Sequence, residues 1–256
     1  DAPALKKADI GVAMGITGTE VSKDAAVMIL TDDNFATIVG AVEYGRGIYD
    51  NLVKYIRYQM GTLVAFIATF LGAAFFSILG GTPFGPLTVL WINFLVQVPI
   101  AIALGFDDPS PGLMKRKPRP LSEPVLSLHR WIRIIFMGLI IAVATLFIEG
   151  YYSGIADNQA ITMGYAVFSL LSIALGITSR SEIETIFSKD LLPSGRQLGL
   201  YIVALVFLFV GAGLLRDISN TTPLTSEQWL ICFAFAGLLI SVDEITKFFM
   251  RRTRKR

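Results

Sequence analysis

The sequence predicts a mainly helical fold: six membrane-crossing helices behind a short α/β segment. Three observations predict it. Hydrophobic residues make up 54% of the 256 and charged residues 16%, where soluble chains carry roughly a quarter charged residues, and mean hydropathy is +0.62. From about residue 56 onward, six continuous apolar runs recur, each able to cross a hydrocarbon core of about 30 Å, which takes roughly 20 helical residues. The basic residues, finally, crowd onto one set of connecting segments. This composition excludes an ordinary soluble domain, and a net charge of +2 gives no reason to expect a nucleic-acid partner.

Residues 1–50 come first and read differently. Ile10–Met14 and Val27–Leu30 are short apolar runs of the kind found in strands buried on both faces. Between them, Thr17-Gly18-Thr19-Glu20 has the form of a capping box opening a short helix. Asp32-Asp33-Asn34 can cap another helix starting near Phe35. That helix meets no strong breaker after Gly47 and is expected to run through Tyr49 and Tyr55 into the first span as a stalk. The chain opens on Asp1 without a basic-then-apolar leader, so this segment is expected to be the tail of a soluble domain and the sequence to begin mid-protein.

The spans are placed at about 56–80, 86–106, 132–150, 161–179, 197–216 and 228–249. Their apolar character is continuous rather than alternating, which favours helices over strands. Gly80-Gly81-Thr82-Pro83 makes a hairpin of the first two. With sides alternating, segments 107–131 and 180–196 and the C-terminal tail share one side. That side carries Lys115, Arg116, Lys117, Arg119, Arg130, Arg180, Lys189, Arg196, Arg251, Arg252, Arg254, Lys255 and Arg256. Turns 80–85, 151–160 and 217–227 carry no Lys or Arg, with Arg216 only at their border. The positive-inside rule makes the basic side, the N-terminal segment and the C-terminal tail cytoplasmic.

Within the first span, Gly61, Ala65, Ala68 and Gly72 fall on one helical face and are expected to pack closely against a neighbouring helix. The single cysteine, Cys232, lies in an apolar run and is expected to be buried packing.

Asp1-Ala-Pro-Ala-Leu-Lys-Lys-Ala-Asp-Ile-Gly-Val-Ala-Met-Gly15 resembles the hinge motif of P-type ATPases, beginning at its second aspartate. Thr17–Ala26 and Gly45-Arg-Gly-Ile-Tyr-Asp-Asn51 continue the pattern without a gap. Leu90-Trp-Ile-Asn-Phe94, Ala103-Leu-Gly-Phe106, Met114-Lys-Arg-Lys-Pro-Arg119 and Asp243-Glu244 with Lys247 are similar to the calcium-pump branch. The resemblance covers essentially the whole chain. It implies that residues 1–50 are the end of a haloacid-dehalogenase-like phosphorylation domain and the start of the stalk. Residues 51–256 would be the C-terminal membrane domain, with the family's fifth to tenth helices.

The resemblance further implies an ATP-driven cation translocase in the plasma membrane. Asp1 would then help hold Mg²⁺ beside the phosphorylated aspartate, a hard cation that suits carboxylate oxygens and neutralises phosphoryl charge. Without the family, Asp1 reads equally as a helix cap before Pro3. Lys6 and Lys7 are expected on the surface. No Asp-Lys-Thr-Gly motif occurs in these residues, so ATP is expected to be bound by an N-terminal remainder of the pump, without which this part hydrolyses none.

Polar groups inside a bilayer are functional candidates by default. Asn93 and Gln97, four apart, share a face of the second span. Pro99 has no N–H to give the Leu95 carbonyl, which leaves that oxygen free. Two amides and a carbonyl can form an oxygen cage for a partly dehydrated cation. Their other reading is interhelical hydrogen bonding, worth about 1 kcal/mol each. The carboxylates of the calcium-pump branch are not matched: Leu63 and Phe66, Val96 and Gln97, and Ala174 stand at those positions, and no Asp or Glu occurs between Asn51 and Phe106. One calcium, a monovalent ion or a proton all remain compatible. Asp243 and Glu244 are expected to pair with Lys247, and Glu149 to snorkel to water from the outer end of the third span. A non-catalytic remnant or assembly module of such a pump is the competing class. A secondary carrier would need internal repeats, which the two halves do not show.

Overall fold

The computed structural model describes residues 1–109, 112–120, 122–188, 191–214 and 221–254, with the backbone alone for residues 214, 253 and 254. Lys189, Arg216, Lys255 and Arg256 of the charge pattern lie outside them. The chain divides into two units, Asp1–Tyr49 with Ser110–Lys117, and Asp50–Pro109 with Pro118–Arg256.

The first unit starts with α1 (Ala2–Lys7), β1 (Val12–Met14), α2 (Glu20–Ala25) and β2 (Met28–Leu30). The two strands pair in parallel, Ala13 opposite Ile29, joined by α2 as parallel neighbours require a crossover. Burial on both faces is not found: Ala13 and Leu30 are buried, but Ile29 is 47% and Val27 77% exposed. Alternation along the pleat sends Ile29 to the face opposite Leu30, a face that no element among the described residues covers. The capping box is also displaced. Thr19, not Thr17, caps α2, its hydroxyl accepting from the Ser22 amide, while Glu20 pairs with Lys23. Thr17 is taken by Asp33, whose carboxylate accepts from the Ile16 and Thr17 amides and the Thr17 hydroxyl at 2.7–2.8 Å. The Ile16 amide foremost holds that carboxyl below the usual carboxylate range.

Asp32 and Asn34 open the next helix as expected, accepting from the Thr37 hydroxyl and the Ala36 amide. This helix, α3, runs unbroken from Ala36 to Phe76, so stalk and first span are one element. Arg46 on α3 donates to the Leu113 and Arg116 carbonyls and fastens that loop.

Among the described residues, six helices are long and apolar enough to cross a membrane. After α3 the chain reverses through Ile78–Gly81, with Ser77, Leu79, Gly80 and Gly81 at positive φ, the hairpin the glycines announce. Span two is composite: α4 (Pro86–Trp91), a π-helical stretch (Ile92–Gln97) and α5 (Val98–Gly105). Then come α6 (Leu128–Ser153), α7 (Asp157–Thr178), α8 (Gly195–Leu214) and α9 (Ser226–Arg254). Each matches an expected span to within a few residues. The central helix is α7, with 89% of its apolar window buried where the other five reach at most 50%.

The small-residue stripe of α3 does what its spacing predicts. A Cβ on Gly138 of α6 would stand 2.8 Å from the Gly61 carbonyl oxygen, and one on Gly72 would stand 2.3 Å from Leu146. Helix backbones approach this closely only where side chains are missing. Away from the core, Leu63, Ile67, Leu71 and Phe75 of α3 and Ile132, Phe136, Val143 and Phe147 of α6 are exposed, stripes suited to lipid. Cys232 is buried with its sulfur 3.9 Å from that of Met163.

Candidate cation-pathway site

Span two changes its winding where its polar residues sit. Asn93 is the second and Gln97 the last residue of the π stretch, and Pro99, two residues on, is buried. A π turn is rare and recurs at functional positions. Here Pro99 offers no N–H to Leu95, so the regular i→i−4 ladder cannot continue across this point. Leu95 itself is half-buried.

The two amides behave differently. Asn93 donates from Nδ2 to the Val89 carbonyl one turn back at 2.9 Å, which leaves its carbonyl oxygen as the group it can offer elsewhere. Gln97 is 2% exposed, and neither its Nε2 nor its Oε1 has a partner among the described residues. The interhelical hydrogen bond that would have explained Gln97 as packing is therefore absent there. A buried primary amide with nothing to bond costs about 1–3 kcal/mol, and unsatisfied groups of this kind mark places where water or an ion belongs. The hydroxyls of Tyr58 on α3 and Tyr201 on α8 are likewise buried and unpartnered. Neither tyrosine stood out in the sequence, since an aromatic in a span reads as apolar bulk.

At the positions aligned with the missing carboxylates, the structure has apolar filling. Phe66 packs on Phe168 with ring centroids 4.3 Å apart, and Phe84 joins both at 6.2 and 5.4 Å. Leu63 is exposed and Ala174 buried. No group of three or more His, Cys, Asp or Glu side chains able to hold a metal occurs among the described residues. The neutral oxygens of Gln97 and its surroundings are what span two can offer.

Charge is concentrated instead at one end of the bundle. Asp107, just past α5, is 5% exposed and pairs with Lys54 at 2.7 Å and Arg180 at 2.8 Å, while Gln197 donates to it at 2.8 Å. Burial alone would push this carboxyl up, but Arg180, Lys54 and Gln197 outweigh it and hold it below the usual range. Asn51 donates to the Asp107 and Gly105 carbonyls. A second network ties Glu182 to Arg57 and Arg130, and Asp243 to Arg133 and Lys247 at 2.5 and 2.8 Å. The expected pairing of Asp243 and Glu244 with Lys247 is present; the partners Arg57, Arg133 and Asp107 were not singled out in the sequence. Their signal is position: each lies within the first or last turns of a span, where charge can meet charge from neighbouring helices.

Glu149 departs from expectation. It does not snorkel: the side chain is 0% exposed, and neither carboxyl oxygen has a partner among the described residues. Asp1 precedes α1 as its N-cap residue, and its side chain makes no capping bond. Lys6 and Lys7 are exposed.

Comparison with known proteins fits this arrangement. Residues 81–249 match the family described as "Cation transporting ATPase, C-terminus". Calcium-transporting ATPase 1 of Schizosaccharomyces pombe is 34% identical over 98% of this chain and 28% of its own length. A calcium-transporting ATPase of Bacillus subtilis is 36% identical over 93% of this chain and 27% of its own. Calcium-transporting ATPase 3, plasma membrane-type, of Oryza sativa is 33% identical over 99% and 26%. The chain thus spans little more than a quarter of the length of these relatives. With six helices long and apolar enough to cross a membrane and this match across nearly all its residues, the chain belongs to the P-type cation-transporting ATPases and corresponds to their C-terminal membrane region.

Proposed function

We propose that this chain is the ion-translocating part of an ATP-driven cation pump, and that the cation passes beside Gln97 in span two. Gln97 carries the proposal: a buried amide with both polar atoms unpartnered, ending a π stretch next to Pro99. Asn93 through its carbonyl oxygen and Leu95 through its backbone carbonyl would complete the protein's donors on this span. A neutral set of oxygens attracts a divalent ion less than carboxylates do. Calcium, the ion named for the relatives, is the first candidate, bound with modest affinity; the absence of any carboxylate between Asn51 and Phe106 equally suits a monovalent ion.

In this reading residues 1–50 are the end of a haloacid-dehalogenase-like phosphorylation domain, and residues 51–256 the membrane domain. The parallel pair β1–β2 with its crossover helix is compatible with the edge of such a sheet. ATP would be bound by the N-terminal remainder of the pump. Asp1 suits a Mg²⁺ ligand, since its carboxylate is exposed and makes no capping bond, and Mg²⁺ is commonly held by one or two carboxylates together with phosphate. When bound, the ion would neutralise charge on the transferred phosphoryl group. The protein would lie in the plasma membrane with its basic loops and both ends of the chain cytoplasmic.

The test uses the full-length pump. Gln97→Leu removes the polar atoms without adding bulk. It is expected to weaken ion-stimulated ATPase activity at least tenfold in half-maximal ion concentration, while phosphorylation by inorganic phosphate without the ion is retained. Gln97→Glu is expected to tighten the calcium response. Unchanged ion dependence in both variants refutes the pathway.

A further inference from the structure

Glu149 stands on the third span with both carboxyl oxygens buried and without a partner among the described residues. Its pocket is built for it. A Cβ on Gly164 of the central helix α7 would lie 2.1 Å from the Glu149 Oε1 and 2.6 Å from its Cγ, so the carboxyl occupies a notch that exists because residue 164 has no side chain. This contact lies between α6 and α7, the most buried helix of the bundle.

Among the described residues, no cation can balance an ionised carboxylate there. On α6 the nearest basic residue is Arg133, sixteen positions or about 24 Å along the helix. The facing helix α7 carries one charged residue, Asp157, exposed in its first turn. The part of α3 beyond Arg57 has none, nor does the Ile78–Gly81 turn, and α9 has only Glu227 in its first turn before Asp243. Among the described residues, every charge near this end of the bundle is therefore negative or absent, Arg216 lying outside them. An isolated buried carboxylate is prohibitively costly, and such residues in membranes mark ion or proton routes. A metal ion does not suit the notch. It would need about six oxygens, whereas the carboxyl itself fills the space at Gly164, and no group of three or more His, Cys, Asp or Glu able to hold a metal occurs among the described residues. The Thr145 and Thr162 hydroxyls already donate to the Ile141 and Asn158 carbonyls and have no hydrogen left for the carboxylate.

We propose that Glu149 is an intramembrane proton-binding site, separate from the Gln97 pathway, in which the carboxyl bears a proton while α6 and α7 are packed as seen. When that packing loosens, the O–H bond breaks, the proton passes to water at the nearer membrane surface, and the electron pair stays on the carboxylate. Repacking returns the proton. The pump thereby carries a group that senses acidity on the side opposite its basic loops.

Infrared difference spectroscopy of the full-length pump tests this without depending on transport. The wild type is expected to show a protonated-carboxyl C=O band, sensitive to heavy water, that is lost in Glu149→Gln. A second variant, Gly164→Ala, fills the notch and is expected to convert the same band to carboxylate absorption, because the displaced group reaches water. In sealed vesicles, turnover of Glu149→Gln is expected to lose the dependence on pH at the outer face that the wild type shows. The proposal is overturned if no band disappears in Glu149→Gln, or if that variant keeps the wild-type pH dependence. Should Glu149→Gln fail to assemble, a wild-type band unmoved by Gly164→Ala also overturns it. None of these readings uses the ion response of Gln97 variants, so the two proposals fail independently.

Discussion

Asp107 shows how single residues hold this bundle. Its carboxylate joins Lys54 of span one, Arg180 at the end of span four and Gln197 of span five, so one side chain closes three helix contacts. Breaking a buried ion pair by removing one partner costs about 3–5 kcal/mol, mostly from the charges left behind. Asp107→Asn is expected to destabilise the protein by that order, read as thermal unfolding in detergent. The pH dependence has a definite sign. With its folded pKa held below the ordinary 3.8, Asp107 contributes its full stability above that ordinary value and loses it only as pH falls through the lower folded one. The gap between wild type and Asp107→Asn should therefore stay constant between about pH 5 and 8. A gap that shrinks as pH rises through that range contradicts the assignment.

At the scale of elements, close helix contact rests on glycine. Gly138→Ala puts a Cβ 2.8 Å from the Gly61 carbonyl oxygen and from Val64, and neither backbone can yield cheaply. A loss of about 1–3 kcal/mol is expected. Gly213→Ala in α8, with open space around it, is the control, expected neutral or stabilising by up to about 1 kcal/mol. Equal losses in both would mean that the stripe does not set the α3–α6 approach. The stripe was legible because its spacing repeats at helical period. The six spans were legible for a different reason, each continuous apolar run being long enough to cross a membrane and to dominate any local preference. Helix starts were less so. Thr17 carries the capping-box pattern but bonds Asp33, sixteen residues away, a tertiary choice that local sequence does not encode. Conversely, Ser194 with Gln197 and Thr225 with Gln228 form reciprocal caps for α8 and α9, a Ser/Thr-x-x-Gln signature that the local sequence does carry. The π stretch was signalled only through Pro99, and its extent depends on how span two packs against α7 and α8. Asn93 and Gln97 could be named as a pair, but which of them finds a partner is decided by neighbouring helices. Glu149 misled because distance from a helix end suggested water, whereas Gly164 on another helix determines its burial.

For the whole molecule, the buried ion pairs and the basic loops lie at the same ends of the spans, and the opposite ends carry no Lys or Arg among the described residues. This arrangement supports a cytoplasmic position for the charged end. In a Cys232→Ala background, Ser127→Cys is expected to resist impermeant thiol reagents applied to intact cells and to react after permeabilisation. Reaction from outside would invert the topology. The central claim, that the transported cation sits at Gln97, is met most directly by equilibrium binding of radioactive calcium to the purified full-length pump without nucleotide. Wild type is expected to bind one ion at modest affinity, Gln97→Leu to lose at least tenfold in that affinity, and Gln97→Glu to gain. Identical binding curves for all three proteins would contradict it.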